Sequence, residues 1–241
     1  MFQTNNQDSA QLVKHAITLL TKGTPEDWNK QYRTRSFHSD MVTRVQDAIQ
    51  MQFDYKDRDK FYKCVNDRFV SNKPVDYLEF GVASGWSFKQ WLKLNQCDES
   101  RFFGFDSFVG LPEDWTERTP KGSFDQNGKT PDVDDSRAQF IDGLFQNTLP
   151  KFLESFDVKN RLVIHFDADL YSSTLYAMMN LDKFITPGTI FMFDEFTARN
   201  LTDEYAALQD YCTCCYRDYK VLATRNDFAK LAVEIIPQGD Q

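Results

Sequence analysis

Residues 161–174 read RLVIHFDADLYSST. Leu162, Val163, Ile164 and Phe166 form the short apolar run of a buried strand. Two carboxylates, Asp167 and Asp169, follow with one alanine between them. One reading makes Asp169 or Ser172 the N-cap of a helix over LYSSTLYAMMNLDKF. The other makes the two acids a metal or base site. The rest of the chain decides between them.

Outward from this stretch the same rhythm repeats. From Pro74 onward the chain alternates strand, turn and helix: VDYLEFGV then SFKQWLKLN, RFFGFDSF, RLVIHFDADL then its helix, and GTIFMFDEF then DEYAALQDYCTC. Such alternation predicts an α/β fold with a mainly parallel sheet. YKVLATRN and FAKLAVEII read as two closing strands in antiparallel arrangement. Residues 1–73 carry helical patterning, in DSAQLVKHAITLLTKG, DMVTRVQDAIQMQFDY and RDKFYKCVNDRFVS, and read as an N-terminal helical extension to a domain over 74–241. Residues 112–137 are rich in Pro, Gly, Asp and Asn. A loop of that length in a compact domain reads as a lid, with Trp115 and Phe124 placed to cover a ligand.

In open α/β sheets, ligands bind beyond the carboxyl ends of the strands. Four strand ends then share one rim: EFGVASG, FDSF, FDAD and FDEF. At the first, Gly81 and Gly85 follow Glu79 in the pattern Glu-x-Gly-x-x-x-Gly. Glycine lets a ligand approach the main chain, and the following helix start favours a carboxylate or phosphate. The pattern is neither the Gly-x-Gly-x-x-Gly of dinucleotide binders nor a P-loop. Asp106, with Ser107 beside it, ends the next strand 25 residues after Gly81. An acid at that place accepts hydrogen bonds from ribose hydroxyls. Asp194 and Glu195 lie 27 and 28 positions beyond Asp167. If their strands are parallel neighbours, Asp167, Asp169, Asp194 and Glu195 gather at one place. Those oxygens suit a hard divalent cation, and without compensation by a metal or by Lys and Arg some of the acids would stay protonated.

The 241 residues carry a net charge of −8, which argues against nucleic acid or anionic membrane as partner. No apolar run approaches the ~20 residues that span a bilayer, and MFQTNNQDSAQ lacks the pattern of a signal peptide. Five cysteines, odd in number and unevenly spaced, point to reduced thiols in a cytoplasmic protein. CTCC, at 212–215, has no second ligand pair at zinc-finger spacing. Phenylalanine is abundant, 22 residues in all, so the core or a pocket is rich in aromatic rings. His165 reads as a packed, hydrogen-bonded histidine rather than a base. Tyr171, beside the acids, reads either as lining an acceptor pocket or as packing alone. The apolar faces of the N-terminal helices suggest a homo-oligomer.

Five blocks in order, YLEFGVASGWS, GFDSFVGLPEDW, GLFQNTLP, HFDADLYSST and PGTIFMFDEF, resemble the macrocin O-methyltransferase-type enzymes over roughly residues 74–200. The resemblance implies a Rossmann-like class I methyltransferase fold that uses S-adenosylmethionine and Mg²⁺ (or another divalent cation) to methylate a hydroxyl of a small molecule, often a sugar or polyol of a natural product. It implies that Gly81, Gly85 and Glu79 hold the methionine end of the cofactor and that Asp106, with Ser107, takes the ribose. Asp167 or Asp169, with Asp194 and Glu195, would bind the metal. Whichever of Asp167 and Asp169 is not a ligand, with Asp169 the candidate, would accept the proton. The family often carries Asp-Asp or Glu-Asp where this chain has Asp194-Glu195. A Rossmann oxidoreductase using a nicotinamide cofactor, and a nucleoside-binding scaffold without turnover, are the competing readings.

Overall fold

In the computed structural model the described residues are 25–237, with side chains from Asn29 onward. The helix expected over 8–23 lies outside them. The chain divides into two compact units at Thr43/Arg44. The described part of the first, residues 25–43, is all but the last residue of helix α1 (Pro25–Arg44), a largely polar segment.

The second unit is built on an eight-stranded sheet of order β1-β7-β8-β6-β5-β2-β3-β4. Its strands are β1 (Ile49–Met51), β2 (Val75–Phe80), β3 (Arg101–Asp106), β4 (Ala138–Asp142), β5 (Arg161–Phe166), β6 (Ile190–Phe193), β7 (Asp218–Arg225) and β8 (Leu231–Ile236). All neighbours pair in parallel except β8, which runs antiparallel to both β6 and β7. The helices are α2 (Asp59–Val65), α3 (Trp86–Leu94), α4 (Phe145–Ser155), α5 (Tyr171–Leu181), α6 (Ala198–Leu201) and α7 (Glu204–Cys214). This is the α/β arrangement that the strand–helix rhythm predicts. Among the described residues, no helix is long and apolar enough to cross a membrane.

One expectation fails. Val42, Val45, Ile49 and Phe53 suggested a helix over 40–55, but α1 stops at Arg44 and Ile49–Met51 is an edge strand on β7. Ile49, Met51 and Phe53 also satisfy a period of two, and all three pack against the core. Pairing with the open edge of β7 selects that period over the helical one.

Two apolar layers close the sheet. On one face, α2 and α3 bring Phe61, Tyr62, Val65, Phe88 and Trp91 against Tyr77, Val163 and Ile190. On the other, register aligns Phe105, Phe80, Phe166 and Phe193 in one row across β3, β2, β5 and β6. Adjacent rings lie 4.7, 5.9 and 5.4 Å apart with interplanar angles of 12°, 16° and 18°. Each buried phenylalanine contributes about 1.5–3 kcal/mol of transfer free energy, and the stacked row fixes the register in which the strand ends line up.

At the opposite end of the sheet, fully buried Asp76 anchors three segments. It accepts two hydrogen bonds from Arg101 (Nε and Nη2, both 2.8 Å), one from the Lys159 amide (2.7 Å), and two from Asn160 (amide and side chain, both 3.1 Å). Asp76→Ala leaves the Lys159 and Asn160 amides without their acceptor and takes two bonds from Arg101, which keeps Asp157, so we expect a loss of about 2–4 kcal/mol of stability, read by chemical denaturation. A loss below about 1 kcal/mol would contradict this account of the anchor.

Candidate active site

Sheet hydrogen bonding runs one residue past the end of each central strand. The amide of Asp194 donates to the Phe166 carbonyl (3.1 Å), Asp167 to Phe80 (2.9 Å), Gly81 to Phe105 (2.9 Å) and Gly143 to Asp106 (2.9 Å). The functional positions expected at the rim are therefore held by the ladder itself. Above them opens a cavity of about 390 Å³, within the usual range of small-molecule sites. Gly81, Asp106, Ser107, Asp167, Asp169 and Glu195 all line it. Glu79, Gly85 and Asp194 stand behind the lining.

The glycines are dictated by contact. At Gly81, φ is +94° and a Cβ would lie 1.9 Å from the Asp167 carbonyl oxygen. At Gly85, φ is +76° and a Cβ would meet Pro131 of the long 112–137 segment at 2.6 Å. Asp106 is oriented by the turns it bridges: Oδ2 accepts the Ala83 amide (2.7 Å) and Oδ1 the Phe108 amide (2.8 Å). Each oxygen keeps a second acceptor direction. The Ser107 hydroxyl donates to the Gly110 carbonyl at 3.0 Å.

Glu79 is fully buried beneath the glycine turn. It accepts the Ser87 hydroxyl at 2.7 Å and the Tyr77 hydroxyl. Tyr77 oxygen also bonds His165 Nδ1 (2.8 Å), and His165 Nε2 bonds Asp194 Oδ1 (3.0 Å). Burial works against a charged imidazole, but the bonds to Asp194 and Glu79 outweigh it and push the His165 pKa up to about 10. Both ring nitrogens then donate. His165 is thus packed and hydrogen-bonded, as its place in the strand suggests.

Asp194 is the most heavily engaged acid. Tyr62 hydroxyl donates to both its oxygens (2.9 and 3.0 Å), and Lys230 Nζ sits 2.6 Å from Oδ2. Burial alone would raise its pKa, yet the Lys230 ammonium and His165 hold it well below the usual carboxylate range. His165, Asp167 and Asp194 bring potential ligand atoms within 4.8 Å of one another. Within that group the two imidazole nitrogens are engaged by Tyr77 and Asp194.

The three acids facing the cavity differ. The side-chain carboxylates of Asp167, Asp169 and Glu195 have no hydrogen-bond or ion-pair partner among the described residues. Burial, and then Asp194, raises Asp167 well above its ordinary value. Burial, then Glu195 and Asp194, raises Asp169 to about 8, and burial raises Glu195. Asp169 also adopts a left-handed backbone, φ 60°, in a tight turn closed by the Leu170 amide on the Ala168 carbonyl (2.6 Å). This answers the opening alternative: α5 begins after Leu170 without a side-chain cap, and Ser172 donates instead to Glu113 at 2.5 Å. Neither Asp169 nor Ser172 therefore caps the helix.

The 112–137 segment lies against the rim, with Trp115 and Phe124 in the cavity wall and Trp115 Nε1 donating to Asp203 (3.0 Å). Tyr171 turns away to Asp210 at 2.7 Å. Sequence reasoning missed Tyr62, Lys230 and Arg58. For Lys230 a signal existed: it precedes an apolar strand, and continuing the Phe193–Leu231 pairing by one residue sets it opposite Asp194.

A model of the macrocin-O-methyltransferase (TylF) family matches residues 3–214. The chain belongs to that family. It is 26% identical over 172 residues to demethyldecarbamoylnovobiocin O-methyltransferase of Streptomyces niveus, covering 61% of this chain and 64% of that protein. It is also 26% identical over 173 residues to 8-demethyl-8-(2,3-dimethoxy-alpha-L-rhamnosyl)-tetracenomycin-C 4'-O-methyltransferase of Streptomyces olivaceus, covering 64% of each. The matches thus span less than two thirds of either relative. Among solved structures, the O-methyltransferase NovP superposes with a TM-score of 0.58 at 19% identity, over 75% of this chain and 80% of NovP. The calicheamicin methyltransferase CalS11 gives 0.54 at 19% identity, over 97% and 95% of the two chains. The fold is that of the class I methyltransferases, as the TylF-type sequence blocks imply.

The Lys230–Asp194 pair is buried on both sides, with exposures of 1% and 3%. Lys230→Met leaves a buried carboxylate without its cation and should cost about 3–5 kcal/mol of stability. The double variant Lys230→Met/Asp194→Asn should cost clearly less than the sum of the single changes, measured by denaturant unfolding. Additive costs would show that the pair is not coupled.

Proposed function

We propose that this chain is an S-adenosylmethionine-dependent O-methyltransferase acting on a hydroxyl of a small natural product, of the sugar or polyol kind, with a divalent cation at its acidic rim. Family membership supports methyl transfer. The observation that carries the site assignment is one cavity lined by the Gly81 turn, by Asp106 and by three unpartnered carboxylates. The Streptomyces olivaceus relative, whose name places its acceptor on a rhamnosyl compound, supports the acceptor class. The odd, unevenly spaced cysteines support a cytoplasmic location, and the apolar spacing of Leu12, Val13, Ala16, Ile17 and Leu20 in the sequence supports a homo-oligomer.

In this reading the Gly81 turn admits the methionine end of the cofactor with Glu79 as its buried support, Gly85 shapes the turn, and the free acceptor directions of Asp106 take the ribose beside Ser107. The donor set fits a hard cation. Asp167 and Glu195 are the ligands that the cavity offers. Asp194, saturated by Lys230, His165 and Tyr62, contributes negative charge from behind rather than a ligand bond. When bound, the sulfonium supplies an electrophilic methyl group, and a divalent cation lowers the pKa of a coordinated hydroxyl. Asp169 accepts the proton released from the acceptor oxygen. The 112–137 segment closes Trp115 and Phe124 over the reactants and keeps water out.

The test is formation of S-adenosylhomocysteine and methylated product across a panel of sugars, polyols and glycosylated phenolics, with and without EDTA. Turnover should fall at least tenfold in EDTA and return with Mg²⁺ or Mn²⁺. Asp167→Asn should bind Mn²⁺ at least tenfold more weakly in calorimetry while keeping its fold. Turnover indifferent to EDTA, with Mn²⁺ binding unchanged by Asp167→Asn, would remove the cation from the proposal and leave methyl transfer standing.

A further inference from the structure

The cavity wall is acidic: Asp106, Asp167, Asp169 and Glu195 line it, and Arg58 is the one lysine or arginine among the lining residues. An arginine in such company normally forms an ion pair. Arg58 does not: its guanidinium has no acceptor within hydrogen-bond or ion-pair distance among the described residues. Aromatic rings hold it instead. Its Cζ lies 3.7 Å above the Trp86 ring centre and 4.4 Å from that of Tyr55. Cation–π contact fixes a guanidinium through its face and does not use up its N–H donors.

The location is specific. Trp86 is the first residue of α3, directly after the Gly81–Gly85 turn, so Arg58 sits at the glycine end of the cavity. Tyr55 and Arg58 come from the short segment that precedes α2, which contributes no other lining residue.

We propose that Arg58 is the oxyanion-binding residue of the cavity, offering its unused N–H donors to a carboxylate or phosphate-type group of a bound molecule. The proposal rests on the methyltransferase reading above. Two sources of such a group exist: the α-carboxylate of the cofactor, which the position beside the glycine turn favours, and an acidic group on the acceptor. A planar guanidinium matches either in a two-point contact, which an ammonium cannot reproduce.

Calorimetric titration separates the sources. S-adenosylhomocysteine carries the carboxylate; 5′-methylthioadenosine keeps the nucleoside and sulfur but lacks it. In Arg58→Gln, S-adenosylhomocysteine should bind about 10- to 100-fold more weakly, with methylthioadenosine within about twofold of wild type. Arg58→Lys should recover part of the loss. If S-adenosylhomocysteine binding is unchanged, inorganic pyrophosphate is titrated into the S-adenosylhomocysteine-saturated protein. Binding present in wild type and lost in Arg58→Gln assigns the oxyanion to the acceptor. Arg58→Gln behaving as wild type toward all three compounds overturns the proposal. An equal loss for both nucleosides overturns it too, since that marks Arg58 as a support for Trp86 and the turn. Wild type binding neither nucleoside would contradict the methyltransferase reading itself, and this proposal with it.

Discussion

The site depends on a ladder of backbone hydrogen bonds that does not stop where the strands do. Asp194 to Phe166, Asp167 to Phe80, Gly81 to Phe105 and Gly143 to Asp106 continue the sheet across five strands and fix the rim residues relative to one another. Gly81 couples two halves of that rim. Because its missing side chain would fall 1.9 Å from the Asp167 carbonyl oxygen, the glycine turn packs directly against the acid-bearing strand end. The row of stacked phenylalanines below sets the register in which they meet.

Charge follows from that geometry. Parallel strands that each end in an acid collect negative charge, and burial makes such charge costly. This protein compensates part of it internally. Lys230, His165 and Tyr62 satisfy Asp194, while Tyr77 and Ser87 satisfy Glu79, so the second layer is closed by hydrogen bonds. Asp167, Asp169 and Glu195 are left facing the cavity without partners. The proposed cation site rests on this contrast between a satisfied layer behind and an unsatisfied layer in front.

Much of this was legible in the sequence because strand ends carry it. Apolar runs closed by FGVASG, FDSF, FDAD and FDEF give a mainly parallel sheet, and the sheet rule then gives the rim. Glu79, Gly81, Asp106, Asp167 and Asp194 occupy the strand ends where that rule places them. What escaped reading depends on long-range pairing. Lys230 meets Asp194 only because β8 is antiparallel to β6, and Tyr62 and Arg58 come from a segment whose helical periodicity says nothing of what it faces. The edge strand at Ile49–Met51 escaped for the same reason: its residues fit two periodicities, and only the partner strand chooses between them.

The central claim is that this rim receives a sulfur-bearing nucleoside. A crystal structure with S-adenosylhomocysteine tests it most directly. The account predicts the ribose hydroxyls on Asp106, with the sulfur between the Gly81 turn and the Asp167–Asp169 corner. A nucleoside seated elsewhere, or its ribose bound without Asp106, would contradict it.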